Sequence, residues 1–174
     1  MSSTSRIAIG FFSLGLLSCA HPTMGPGPGT PITAEGWGPV NVGMTPDQMA
    51  HALGAPLSIE ANFTDSDECL YMHSDAAPGL RFMIEEHRLV RVETSASVYS
   101  TSEGVRVGDT PASAREAYSD RLQIKPHKYD PDGYYVVIGG KTADTALLIE
   151  VSEGRVVEIR GGLEPAVEYV EGCL

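Results

Sequence analysis

Val42-Gly43-Met44-Thr45-Pro46 returns 65 residues later as Val107-Gly108-Asp109-Thr110-Pro111. The shared chemistry is that of a helix start. A Thr hydroxyl accepts from free backbone N–H groups of a first turn, so Thr45 and Thr110 read as N-caps. Pro46 and Pro111 follow at the first helical position, where the missing N–H costs little. Gln48 completes a capping box in the first copy, while Ser113 makes a weaker one in the second. Gly43 and Gly108, before the caps, allow the chain to turn out of a short strand. Met49 and Leu53 lie four apart on one face, as do Ala114 and Tyr118, and Gly54 closes the first helix. Helices of two turns are marginal alone, so each must pack on something.

Working outward, each helix is followed by runs that read as antiparallel strands. The first set is Leu57–Phe63, Glu68–His73, Leu80–Glu85 and Leu89–Thr94; the second is Leu122–His127, Tyr134–Ile138, Ala146–Val151 and Arg155–Arg160. Ala77-Pro78-Gly79, Asp130-Pro131-Asp132-Gly133, Gly139-Gly140 and Glu153-Gly154 separate them as turns. His87–Val92 and Gly154–Ile159 also correspond in register. The expected fold is α+β: two similar repeats, 34–100 and 101–174, each a short N-terminal helix followed by a small antiparallel sheet. A unit of that size is marginal by itself, so the two are expected to share one continuous sheet or core.

With 174 residues, 42% of them apolar and 20% charged, the chain can support one packed domain. Twelve basic residues against 23 acidic ones give a net charge of -11. Such a chain repels phosphate, which argues against nucleic acid as a partner.

The N-terminus reads as an address. Met1–Arg6 is polar with one positive charge, and Ile7–Leu17 is an uncharged run too short for a comfortable membrane span. Leu16-Leu17-Ser18-Cys19 resembles the lipobox of bacterial lipoproteins. The resemblance implies a signal peptide over 1–18, cleavage before Cys19, and lipid on that cysteine. Ala20, in place of an aspartate, implies an outer-membrane destination on the periplasmic face. Residues 19–33, rich in Pro and Gly through His21–Pro31, then form a tether. Losing Arg6 with the leader would take the charge to -12. With Cys19 lipidated, Cys69 and Cys173 remain as an even pair in an oxidising compartment, and a disulfide between them is expected.

The stretch Gly38-x-Val40-x-Val42-Gly43-Met44-Thr45-Pro46-x-Gln48-Met49, followed by Leu53-Gly54-x-Pro56, resembles the opening of two related families. One is the small lipoprotein of the outer-membrane barrel-assembly machinery. The other is the tandem-repeat β-lactamase-inhibitor proteins, whose two copies form a concave sheet that grips a target enzyme. The matched positions are caps, glycines and core residues, so the resemblance implies a fold and a protein-binding role without placing contact residues.

No constellation for catalysis stands out. His21, His51, His73, His87 and His127 are scattered, with no nucleophile or zinc-protease spacing. Gly139-Gly140-Lys141-Thr142 lacks the spacing of a phosphate loop and reads as a hairpin turn. Asp65-Ser66-Asp67-Glu68 and Asp130-Pro131-Asp132-Gly133 are acidic clusters without a full calcium-loop pattern. No enzyme, cofactor or metal site is therefore expected. Trp37, Asp130, Asp132, Tyr134 and Tyr135 are the partner-binding candidates, drawn from an aromatic set that also holds Tyr71, Tyr99, Tyr129 and Tyr169. The expected function is that of a non-enzymatic periplasmic lipoprotein that binds another protein, of the inhibitor or immunity type for a basic hydrolase. An envelope-assembly scaffold and a glycan-binding module are the alternatives.

Overall fold

The computed structural model describes residues 26–60 and 68–173. The expected signal peptide and lipidation site Cys19, together with His21 and the acids Asp65 and Asp67, lie outside the described residues. Chain order begins with three two-residue strands, β1 (Ile32–Thr33), β2 (Gly36–Trp37) and β3 (Val40–Asn41), which form a small antiparallel sheet. Helix α1 (Pro46–Leu53) leads into β4 (Ser58–Ile59), β5 (Cys69–His73), β6 (Arg81–Glu85) and β7 (Arg88–Thr94). Helix α2 (Pro111–Ala117) leads into β8 (Leu122–Pro126), β9 (Tyr134–Gly139), β10 (Thr145–Ser152) and β11 (Arg155–Leu163). A 3-10 turn, Ala166–Glu168, begins a C-terminal arm that runs to Cys173.

This arrangement corrects the α+β expectation of two helix-plus-sheet repeats. The described residues are mostly β, with 40% strand against 13% helix, and their main element is one eight-stranded antiparallel sheet in the order β4-β5-β6-β7-β11-β10-β9-β8. The reason lies at the seam. Strand β11 continues past Arg160 to Leu163, and residues Ile159 to Gly162 pair with Thr94 to Arg91 of β7. The hydrogen bonds of that pairing leave no boundary at which two small sheets could end. The N-terminal three-stranded sheet was also not foreseen. Ile32 and Thr33 fall within the expected tether, yet they form β1, and Ile32 is fully buried.

Two glycines make the seam possible. A Cβ at Gly161 would run into the Thr33 carbonyl oxygen of β1, and a Cβ at Gly162 into the Val90 carbonyl oxygen of β7. Strand β1 therefore crosses β11 at backbone distance.

The helices cap one face of the sheet. Thr45 Oγ1 accepts from Gln48 N–H at 3.3 Å while Gln48 Oε1 accepts from Thr45 N–H at 2.9 Å, closing the capping box. Thr110 Oγ1 accepts from Ser113 N–H in α2. Met49, Leu53 and Ala114 then pack with Phe82, Ile84, Val92, Ile138, Ile149 and Ile159 in the main core. Each fully buried large side chain contributes about 1.5–3 kcal/mol relative to exposure. Trp37 belongs to this core. It is 1% exposed, its Nε1–H donates to the Thr30 carbonyl at 3.0 Å, and its ring meets Tyr99 edge-on at 5.9 Å.

The opposite face is covered by the arm. Val167 packs with Tyr135, Val137, Ala146 and Leu148, and Ala166 packs with Tyr71, Met83 and Val90. Cys69 and Cys173 are joined by a disulfide with their Cα atoms 5.4 Å apart, which fixes the end of the arm to β5.

The β6–β7 hairpin carries local strain. Glu86 and His87 both sit at positive φ, 48° and 61°, where side chains are disfavoured. Two-residue hairpins of this geometry favour Asn-Gly. The double change Glu86→Asn/His87→Gly should therefore stabilise the protein by about 1 kcal/mol, read as a raised urea midpoint at unchanged slope.

Candidate binding surface

Strand β8 and its turn to β9 are built around His127. Its Nδ1 accepts from the backbone N–H groups of Tyr129 and Asp130 at 3.0 and 2.9 Å, which leaves the proton on Nε2, facing Glu150 Oε1 at 3.1 Å. Asp130 closes the same turn. Its carboxylate accepts from the Ser152 hydroxyl at 2.6 Å and from the N–H groups of Asp132 and Glu153. Those bonds, the Ser152 hydroxyl first, hold its carboxyl below the ordinary range. Asp130 is thus occupied in shaping the turn, whereas Asp132 is exposed.

The tyrosines divide differently from the sequence expectation. Tyr135 is 6% exposed and stacks on His127 at 4.8 Å, so it is a core residue and not a contact. Tyr134 is half-buried against the main core, with the Arg115 guanidinium over its ring at 4.7 Å. Trp37, buried in the main core, likewise presents no surface to a partner. The exposed tyrosines are instead Tyr129, at 63%, and Tyr169, at 37%. Tyr129 is on the β8–β9 turn and Tyr169 is on the arm. Two ion pairs tie these segments together, Lys125–Glu168 at 2.5 Å and Lys128–Glu171 at 2.8 Å. Only composition pointed to Tyr129 and Tyr169; nothing in their spacing marked them as the exposed members of the set.

Beneath the arm lies a charged layer that the sequence did not disclose. Arg91 and Glu93 alternate with apolar neighbours on β7, yet they are 2% and 1% exposed. Arg91 Nη2 meets Glu93 Oε2 at 2.6 Å and also donates to the Tyr71 hydroxyl. Arg91 Nη1 donates to the carbonyls of Ala166 and Tyr169, both at 2.9 Å. Arg81 pairs with the other Glu93 oxygen at 2.8 Å and with Glu60 at 3.0 Å. Across the seam, directly opposite Glu93, Arg160 binds Glu150 and Glu158, each at 2.5 Å. Burial, with Glu93 adding to it, pushes the Tyr71 phenol up to about 12, so the ring keeps its proton at neutral pH. Between arm and sheet is a pocket of about 110 Å³, lined by Tyr71, Arg81, Arg91, Glu93, Glu158 and Arg160.

Burial also raises the Glu158 carboxyl above its ordinary value, against the pull of Arg160. Between the ordinary carboxylate value and the raised one, the native state holds more of this proton than the unfolded chain does. Stability from this group is complete below the ordinary carboxylate range and is lost as pH rises through the raised value. Glu158→Gln has no such dependence. Urea titrations should show wild type losing ground to Glu158→Gln as pH rises above the ordinary carboxylate range.

Gly139 and Gly140 open the β9–β10 turn, where the Glu35 carboxylate accepts from Lys141 N–H at 2.7 Å. The protein's own acid therefore holds the place that a phosphate would need. Among the described residues, no group of three or more His, Cys, Asp or Glu is arranged to hold a metal, and no helix is long and apolar enough to cross a membrane. Comparison with protein-family models, with curated proteins and with solved structures finds no match for this chain.

Proposed function

We propose that the protein is a non-enzymatic binding protein of the bacterial envelope, held by lipid on Cys19 at the periplasmic face of the outer membrane. In this reading it grips a basic protein partner, as an inhibitor or immunity protein grips a hydrolase. The observation that supports it is the surface formed by the β8–β9 turn and the arm. Two tyrosines stand exposed there, on segments cross-tied by Lys125–Glu168 and Lys128–Glu171, beside the exposed Asp132. Exposed aromatic anchors on a pre-ordered support are what binding hot spots require. The net charge of -11 favours a basic partner by steering encounter.

The test is capture of partners from bacterial envelope extract at low and high salt, followed by kinetics with the recovered protein and with a basic muramidase. Association should slow steeply with salt. Tyr129→Ala should speed release roughly tenfold while leaving the melting temperature in place. An on-rate indifferent to salt, together with normal release from Tyr129→Ala, would overturn both the charge argument and the location of the surface.

A further inference from the structure

Past Val167, few contacts hold the arm. Tyr169 and Glu171 are exposed, and Glu168, Val170, Gly172 and Cys173 are only half-buried. This stretch is fixed by the ion pairs of Glu168 and Glu171, the carbonyl of Tyr169 on Arg91, the disulfide, and the packing of half-buried Val170 against the cluster of Tyr135, Val137 and Leu148. Gly172, at φ 65°, lies so close over Tyr71 that a Cβ there would strike the hydroxyl. The arm's end is therefore the cover of the pocket holding Tyr71, Arg91 and Arg160. Arg91 Nε and Arg160 Nη1, both buried, have no hydrogen-bond partner among the described residues.

The disulfide itself is reachable. It lines an open hollow of about 600 Å³ together with Glu68, Glu85, Glu86, Tyr169 and Gly172. Glu85 Oε1 is 3.8 Å from Cys69 Sγ, a contact ready to accept a thiol S–H once the bond is broken.

We propose that Cys69–Cys173 is a thiol–disulfide exchange site that accepts cationic or neutral thiols, rejects anionic ones, and on reduction releases residues 169–173 from the charged layer. The reductant's thiolate attacks Cys69 Sγ, and the S–S bond breaks. Its electron pair leaves on Cys173 Sγ, which takes a proton from water. Cys173 is the departing sulfur because Glu85 disfavours negative charge on Cys69. A second reductant thiol then attacks the mixed disulfide, Cys69 is freed as a thiol, and the reductant departs as its own disulfide. The glutamates at the mouth repel an anionic thiolate on approach and tolerate one that carries a compensating ammonium.

The arm carries Tyr169 and Glu171, so its release would alter the surface proposed above. The readouts chosen here need no partner and succeed or fail without that reading. The oxidised full chain would be treated with cysteamine or with mercaptoethanesulfonate at matched thiolate concentration, and reduction followed by alkylation and mass. Cysteamine should be faster on the order of tenfold at low salt, and the ratio should collapse near 1 M salt, where the screening length is about 3 Å. Glu85→Gln/Glu86→Gln should narrow the ratio at low salt. Oxidative footprinting should show Tyr71, 2% exposed before reduction, becoming reactive while circular dichroism retains the sheet signal. Equal rates for the two thiols would overturn the selectivity. A bond that resists reduction until denaturant is added, a reduced protein whose Tyr71 stays protected, or one whose whole sheet melts would each overturn the latch.

Discussion

Glu93→Gln should cost about 3–5 kcal/mol of folding stability, because it leaves Arg91 buried without its counter-charge. Glu93 is the hub of the layer under the arm: one oxygen serves Arg81, and the other serves Arg91 and accepts from the Tyr71 hydroxyl. Removing a buried partner is expensive because the remaining ion cannot recover its water. Replacing the whole group with apolar residues of like volume is not. Tyr71→Phe/Arg91→Met/Glu93→Leu should therefore regain most of what Glu93→Gln loses. Urea denaturation of both variants decides the matter, and a single variant within about 1 kcal/mol of wild type would mean that water reaches the layer.

Gly161→Ala should be comparably damaging, by about 3 kcal/mol or more, since the added methyl meets backbone with no free rotamer to yield. The Thr33 carbonyl and β1 would have to move, and β1 pairs directly with the strand that carries Trp37 (Ile32 opposite Trp37). The chain has one tryptophan, so its fluorescence reports on this displacement alone. Red-shifted emission with the main sheet still formed is the expected signature. Gly139→Ala, in a strand like Gly161 and with no atom within 4 Å of the added Cβ, is the comparison that separates crowding from the general cost of substituting a strand glycine.

What the residues disclosed follows from the range over which each signal acts. Thr45-Pro46 and Thr110-Pro111 start helices because capping depends on atoms within one turn. The strands of the main sheet, β4 inside the wider Leu57–Phe63 run included, were legible because alternation and turn residues are local as well. The joining of strands was not legible. Nothing in Arg155–Arg160 says that β11 will pair with β7 and not end as an edge, so the residues leave a continuous sheet and a merely shared core equally open. The charged layer was hidden for a related reason. Leu89-Val90-Arg91-Val92-Glu93 alternates as a strand with one wet face should, and alternation cannot tell that a distant arm will cover that face. Exposure of the tyrosines depends on the same long-range packing, which spacing does not carry, so Tyr135 reads as a contact in the sequence while Tyr129 is the exposed one in the fold.

The seam between β7 and β11 also sets a timetable. In a chain made from its N-terminus, β4 to β7 can pair with one another early, whereas the far side of β7 finds its partner only after Leu163 has followed. Until then β7 offers a row of open backbone groups flanked by Val90 and Val92, the kind of edge that recruits strands from other chains. Distant pairing of this sort is slow, because a long loop must close before any contact rewards it. The yield of folded protein should therefore fall as chain concentration rises, and a shortened chain that stops before Gly161 should associate with copies of itself.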